Sequence, residues 1–189
     1  MNNKPPKIPR SVLVIAFTRA GDALLIERAD FAGFWQSVTG SQEAGESWGE
    51  TAQRELMEET GFDAARYGDI IDLNFRNVYC IYPRWQHRYP PGVTHNEERC
   101  FAVCLPTAIT PRLAPREHVA YEWMPLETAA IRASSWSNAA ALRHLKQQFS
   151  PLKNGRNDQS HGLLLKNPLF ANASTMMVDD ERCERTTKQ

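Results

Sequence analysis

The sequence lacks any excess of charge, because 22 Lys and Arg residues balance 22 Asp and Glu residues in a chain of 189. No overall field attracts nucleic acid or an anionic membrane, so a polyanionic ligand must be bound by local charges or by a metal ion. Apolar runs are short, and none approaches the roughly 18 residues of a membrane span. The first ten residues are rich in Lys and Pro, so no signal peptide is expected.

Metal-binding cysteine patterns are absent as well. The four cysteines form no CxxC pair and no zinc-like spacing; they are Cys80, Cys100, Cys104 and Cys183. Cys100 and Cys104 are four residues apart in a predicted strand, so their side chains face the same side. A disulfide between them is one alternative, but buried reduced thiols are favoured. Such cysteine usage is typical of a cytoplasmic protein.

Predicted strands and helices alternate along residues 1–149, which we interpret as one domain. Strands are predicted at residues 11–18, 23–28, 34–38, 70–73, 77–82, 99–105 and 118–123. A helix is predicted at residues 47–60, with Ser47 and Glu50 as a capping box and Gly61 as its stop. A later helix with an apolar stripe is predicted to begin at a Ser137 cap. This order of elements predicts an α/β/α sandwich around a mixed β-sheet.

The composition changes near residue 150. Residues 154–161 are polar and without periodicity, residues 179–189 are mostly charged or polar, and residues 163–170 form an apolar island between them. We therefore predict that residues 150–189 are a disordered or loosely attached tail, in which the island is a docking element.

Three carboxylates lie close together on the first predicted helix. Glu55 precedes Glu58 by three residues and Glu59 by four, so all three project from one face. Their mutual repulsion costs roughly 0.2–0.5 kcal/mol per pair on an exposed helix. A hard divalent cation would turn this repulsion into attraction, whereas a solvated acidic face is the other interpretation. The cluster alone does not separate the two.

The spacing around this helix is more specific. Nine positions at set offsets across 23 residues resemble the complete Nudix box: Gly40, Glu46, Arg54, Glu55, Leu56, Glu58, Glu59, Gly61 and Phe62. The resemblance implies the Nudix α/β/α fold. It also implies hydrolysis of a nucleoside diphosphate linked to another group, with Mg²⁺ or alternatively Mn²⁺ as the cofactor.

The resemblance also implies roles for individual residues. Glu55, Glu58 and Glu59 are expected to bind metal, and Arg54 is expected to orient these catalytic carboxylates by ion pairing, supported by Glu46. The carbonyl of Gly40 is a further expected metal ligand. Glu117, outside the box, is expected to be either another metal-binding carboxylate or the proton acceptor.

Segments outside the box resemble one branch of the family, the bacterial dihydroneopterin triphosphate pyrophosphatases. They are FWQSVTGS, HRYPPGVTHNEE, EHVAYEW and SSWSN, at residues 34–41, 87–98, 117–123 and 134–138. This resemblance implies release of pyrophosphate from the pterin triphosphate in folate biosynthesis. It implies substrate contacts at Lys7, Arg28, Thr39, Tyr79, Cys80, Ile81, Tyr82 and Ser135. Lys and Arg suit phosphate, and an aromatic wall suits a flat pterin ring.

Other interpretations stay open. Lys7 and Arg28 could be ordinary solvated cations, and Tyr79 and Tyr82 should point to opposite faces of their strand because they differ in parity. A broader nucleoside triphosphate pyrophosphatase, acting on dATP or non-standard nucleotides, is the second candidate function. A Nudix-fold binding module without turnover is a third, although no box carboxylate is missing. We expect a small-molecule partner, no nucleic acid and no membrane, and leave the oligomeric state open.

Overall fold

An eight-stranded mixed sheet forms the centre of the fold in a computed structural model that describes residues 5–149 and 174–177. Its strands are β1 Arg10–Thr18, β2 Asp22–Arg28, β3 Trp35–Gln36, β4 Val38–Ser41, β5 Ile71–Cys80, β6 His95–Leu105, β7 His118–Pro125 and β8 Ser174–Met177. The helices are α1 Trp48–Thr60, α2 Ala64–Tyr67, α3 Pro83–Gln86, α4 Leu126–Arg132 and α5 Trp136–Gln148.

The strand order is β3-β2-β1-β6-β5-β8, with β4 paired to β1 and β7 paired to β2. The β1–β6 and β5–β8 pairs are parallel, and the other pairs are antiparallel. Strand β1 is central, and its side chains alternate between two buried clusters. Leu13, Ile15 and Phe17 face the helices α4 and α5, while the intervening residues face α1. The predicted α/β/α sandwich with a mixed sheet is confirmed.

Strand β5 runs through a point where the sequence predicts two separate strands. Its pairing with β6 shifts register between Asp72 and Phe75, and Asn74 has a positive φ of 49°. The Asp72 side chain accepts a hydrogen bond of 2.9 Å from the Asn74 backbone N–H. The predicted break was therefore wrong, since this part of the chain is a bulge inside one continuous strand.

Helix α5 begins two residues earlier than predicted. Ser135 is its N-cap, with the hydroxyl accepting a 3.2 Å hydrogen bond from the Asn138 N–H. Ser137, the predicted cap, is a buried residue within the helix. Both serines precede the same apolar stripe, so sequence periodicity did not separate them.

The structure describes only four residues of the range 150–189. These form β8, which pairs in parallel with β5 at the edge of the sheet. The predicted docking island at residues 163–170 lies outside the described residues, and so does Cys183.

The described cysteines are free thiols, with Cys100 and Cys104 buried and Cys80 half-buried. The disulfide considered between Cys100 and Cys104 is therefore not formed. None of the described helices combines the length and the apolar character needed to cross a membrane.

The packing of α5 against the sheet is testable. Leu142 is fully buried in the cluster beneath α4 and α5. Leu142→Ala should therefore lower the free energy of unfolding by about 2–5 kcal/mol, measured by urea denaturation. Ile131→Ala, at a position 77% exposed on α4, is the control and should change it by less than about 0.5 kcal/mol. Equal losses in both variants would contradict this packing.

Candidate active site

Local sequence signals determine where helix α1 begins and ends. The Ser47 hydroxyl accepts from the Glu50 N–H, and the Glu50 carboxylate accepts from the Ser47 N–H, so the predicted capping box is present. At the other end Gly61 adopts a left-handed φ of 72° and donates its N–H to the Met57 carbonyl. Ala52 and Leu56 pack on the sheet. This orientation turns the next helix face, with Glu55 and Glu59, toward β4.

The contact between α1 and β4 leaves no room for a side chain at Gly40. A Cβ atom added there would lie 1.7 Å from the Glu55 Cδ and 1.9 Å from its Oε1. Gly40 is held at this place by pairing with Val12 of β1. The Glu55 carboxylate therefore lies directly against the backbone of β4 at Gly40, the residue whose carbonyl the resemblance implies as a metal ligand.

Arg54 connects three carboxylates to the end of β4. Its guanidinium donates to Glu46 at 2.6 and 3.1 Å, to Glu55 at 2.8 Å and to Glu58 at 3.1 Å. A further hydrogen bond of 3.0 Å reaches the Ser41 carbonyl. The hydrogen bonds from Arg54 lower the pKa of Glu46 to about 2. The ion pair between Arg54 and Glu46 therefore persists at neutral pH and holds the guanidinium in place beside Glu55.

The two inward-facing carboxylates are buried. Burial raises the pKa of Glu55 to about 7 and raises that of Glu59 well above its usual value, with the Glu55 charge adding to the effect on Glu59. Glu59 accepts a 3.3 Å hydrogen bond from the Thr39 N–H. Glu58 differs, because its side chain is 58% exposed. The structure therefore brings Glu55 and Glu59 together against β4 and leaves Glu58 at the rim.

Glu117, which precedes β7, and His118, its first residue, join this cluster. Glu59, Glu117 and His118 each offer a ligand atom, and the three atoms lie within 4.8 Å of one another. The Nε2 of His118 is 3.8 Å from a Glu59 oxygen. Burial and the nearby Arg28 charge lower the pKa of His118 to about 4, so the imidazole is neutral at pH 7. Sequence reasoning did not assign His118 to the site; its only signal was its position next to Glu117.

This donor set fits a hard divalent cation. Oxygen atoms dominate it, and the raised pKa values show that burial disfavours the negative charges of Glu55 and Glu59. A bound dication would compensate those charges, as Mg²⁺ does in oxygen-rich sites. A neutral His118 is also compatible with ligation, since metal-binding imidazole is unprotonated.

The predicted phosphate-binding cations lie in different surroundings. Lys7 Nζ donates to the Ser41 hydroxyl at 2.9 Å, one residue from Gly40. Arg28 forms a two-pronged ion pair with Asp30, with both N···O distances 2.7 Å. The sequence did not predict this Asp30 contact, which means that Arg28 is already partly neutralised.

The remaining predicted substrate residues have different neighbours. Tyr79 lies edge-on to Trp136, with ring centroids 6.5 Å apart, next to the α5 cap Ser135. Tyr82 lies beyond the end of β5, is 57% exposed and packs against Trp85 instead. Between them Ile81 is buried and the Cys80 sulfur is 3.4 Å from His95 Nε2. Thr39 accepts a 2.9 Å hydrogen bond from Gln36 and is the member of the set nearest the carboxylates.

The NUDIX domain model matches residues 7–146, including every carboxylate described above. The chain belongs to the Nudix family. Nudix hydrolases generally use divalent metal ions, consistent with the acidic cluster.

Two curated relatives of this Nudix hydrolase are bacterial dihydroneopterin triphosphate diphosphatases. The Escherichia coli protein is 38% identical over 144 residues, which cover 75% of this chain and 95% of the relative. The Haemophilus influenzae protein is 33% identical over 136 residues, covering 71% of this chain and 85% of the relative.

Solved structures agree on the fold. The structure of the E. coli dihydroneopterin triphosphate pyrophosphohydrolase matches with a TM-score of 0.68 and 37% identity, covering 74% of this chain and 96% of that one. A Caenorhabditis elegans Ap4A hydrolase matches with a TM-score of 0.57 at 16% identity, covering 74% and 96% of the two chains. The second similarity shows the Nudix fold alone.

The close approach at Gly40 yields a prediction. Gly40→Ala places a methyl group inside the Glu55 carboxylate and must displace it, so the rate of diphosphate-bond hydrolysis should fall by about a hundredfold. Gly49→Ala in α1 is the control, because no atom lies within 4 Å of the added Cβ. Initial rates and melting temperatures test both variants. Activity retained in Gly40→Ala would contradict the described contact.

Burial of Glu55 also yields a pH dependence. Since its pKa is raised from 4.5 to about 7 in the folded chain, folding favours the protonated form. The metal-free protein should therefore be most stable below pH 4.5 with respect to this group. That contribution should be lost as the pH rises through about 7, by at most about 1.4 kcal/mol per pH unit.

Urea unfolding without metal, at a series of pH values, measures this loss. Glu55→Gln should remove the part of the slope that belongs to Glu55. Identical slopes in the parent and the variant would show that Glu55 is not responsible.

Proposed function

We propose that this Nudix hydrolase cleaves dihydroneopterin triphosphate to dihydroneopterin monophosphate and pyrophosphate with Mg²⁺, in the cytoplasm, as a step of folate biosynthesis. The main support for the proposal is the sequence similarity to the Escherichia coli dihydroneopterin triphosphate diphosphatase, which covers 95% of that protein. The chain retains every acidic position of the Nudix box. Mn²⁺ is the alternative ion.

The residues proposed to hold the metal are Glu55, Glu58, Glu59 and Glu117, with the Gly40 carbonyl. A bound Mg²⁺ would supply positive charge at the phosphate oxygens and lower the pKa of a bound water. Glu55 and Glu59 are the central pair, because they are buried together against β4. Arg54 is proposed to orient Glu55 and Glu58 through its ion pairs.

In the reaction the oxygen of water forms a bond to phosphorus while a bridging phosphorus–oxygen bond breaks and pyrophosphate leaves. The proton of the water must pass to a nearby carboxylate, which typically contributes about 10²- to 10⁴-fold. Glu117 is exposed and adjacent to Glu59, so it can take this proton or complete the metal set. The residues proposed to bind the substrate are Lys7, Arg28, Thr39 and Ser135. Residues 79–82 are proposed to contact the pterin.

A substrate panel tests the proposal. We expect the highest kcat/KM for dihydroneopterin triphosphate among a set that includes GTP, dATP and a non-standard nucleoside triphosphate. The products should be pyrophosphate and the monophosphate, identified by chromatography. Much faster cleavage of GTP or dATP would replace the pterin with the broader nucleoside triphosphate activity.

A matched pair of variants separates an enzyme from a binding module. Glu59→Gln should lower kcat by orders of magnitude while the protein stays folded, because it removes a metal-binding charge. Glu122→Gln, an exposed position on β7, should leave kcat unchanged. Ordinary triphosphate binding without turnover in the parent chain would support the binding module.

A further inference from the structure

The loop after α3 lies close to the site through its contact with Lys7. None of its residues has been assigned to metal binding or to substrate binding above. It contains the His87-Arg88-Tyr89 part of one of the segments that resemble the pterin branch. The Arg88 carbonyl accepts a 2.7 Å hydrogen bond from the Lys7 backbone N–H. This bond joins the loop to the segment that precedes β1, so Arg88 and Lys7 are held side by side.

Lys7 in turn lies beside the carboxylates. Its ammonium group donates to the Ser41 hydroxyl, and the adjacent residue, Gly40, is in contact with Glu55. Burial lowers the pKa of Lys7, and the positive charges of Arg88 and Arg28 lower it further, whereas Glu55 and Glu117 act in the opposite direction. The two hydrogen bonds of Lys7, to the Arg88 carbonyl and to the Ser41 hydroxyl, thus place it between the loop and the acidic cluster, where Coulomb interactions with both are appreciable.

The other cations of the site are already engaged. Arg54 is bound to Glu46, Glu55 and Glu58, and Arg28 is paired with Asp30. Within residues 5–149, no carboxylate oxygen lies within 4.0 Å of the charged nitrogens of Lys7 or Arg88. Two neighbouring cations without an acidic partner repel each other, so an anion placed between them would be stabilised by both.

We propose that Lys7 and Arg88 form a two-cation phosphate subsite that binds the polyphosphate chain of the substrate, with Arg88 as a substrate-binding residue from the loop after α3. The inference rests on the proposed function in one respect, namely that the ligand is a triphosphate. Arg88 suits this role because its planar guanidinium can donate two parallel hydrogen bonds to phosphate oxygens. Its exposed position lets it meet a ligand that enters from solvent.

Inorganic tripolyphosphate is the probe, because it carries the phosphates without the pterin. Calorimetric titration with Mg²⁺ should show that Arg88→Ala binds it about tenfold more weakly. Arg88→Lys, which keeps the charge, should lose less. The decrease of affinity with rising salt should also be shallower in Arg88→Ala, because one ionic contact is gone. A residue that only packs the loop would not change this salt dependence.

Arg143→Ala is the matched control, since Arg143 is an exposed arginine of α5 that likewise has no described carboxylate partner. It should bind tripolyphosphate within about twofold of the parent. The proposal is overturned if Arg88→Ala also stays within that range, or if Arg143→Ala weakens binding equally. Failure of the pterin as a substrate would show separately in the substrate panel, because tripolyphosphate binding does not depend on the pterin.

Discussion

The close contact between helix α1 and strand β4 is the constraint on which the rest of the site depends. Only glycine at position 40 lets the Glu55 carboxylate lie against the strand backbone. Pairing with β1 fixes the position of β4, and the packing of Leu56 in the core fixes the position of α1. Neither element can therefore move away from the other. The acidic groups are therefore positioned by the core of the domain, which is the arrangement that precise catalytic geometry requires.

This geometry places like charges in a buried position, where they are unfavourable without a counter-charge. Arg54 supplies part of this counter-charge through its contacts with Glu46, Glu55 and Glu58. Its hydrogen bonds do not include one to Glu59. Glu59 instead has a backbone N–H and a neutral His118 as neighbours. The remaining negative charge is what makes the cluster receptive to a divalent ion, and burial makes that interaction stronger than it would be in water.

Much of the fold could be predicted because its signals are local. The capping box, the Gly61 stop and the strand predicted at residues 11–18 depend on residues close in sequence, and the structure has all three. Predictions failed in β5, where tertiary pairing overrides the local pattern, and in α5, where two nearby serines were alternative caps. The gap predicted between residues 73 and 77 is part of one strand with a bulge, because β6 continues alongside it. Helix α5 begins at Ser135 because the hydroxyl of Ser135, not that of Ser137, accepts from the Asn138 N–H.

By itself, the sequence determined the class of the domain, the helix that carries the acids and the identity of the candidate ligands, because these follow from the spacing of residues along one element. Only the tertiary structure decided which acids are buried, since Glu58 and Glu59 are neighbours in sequence yet differ in exposure. It also decided that Asp30 neutralises Arg28, that His118 joins Glu59, and that Arg88 adjoins Lys7. The contacts of His118 and Arg88 join residues that are far apart in sequence, so the spacing of residues along the chain does not predict them. Asp30 is only two residues from Arg28, but their ion pair depends on the backbone conformation after β2, which the sequence analysis did not predict.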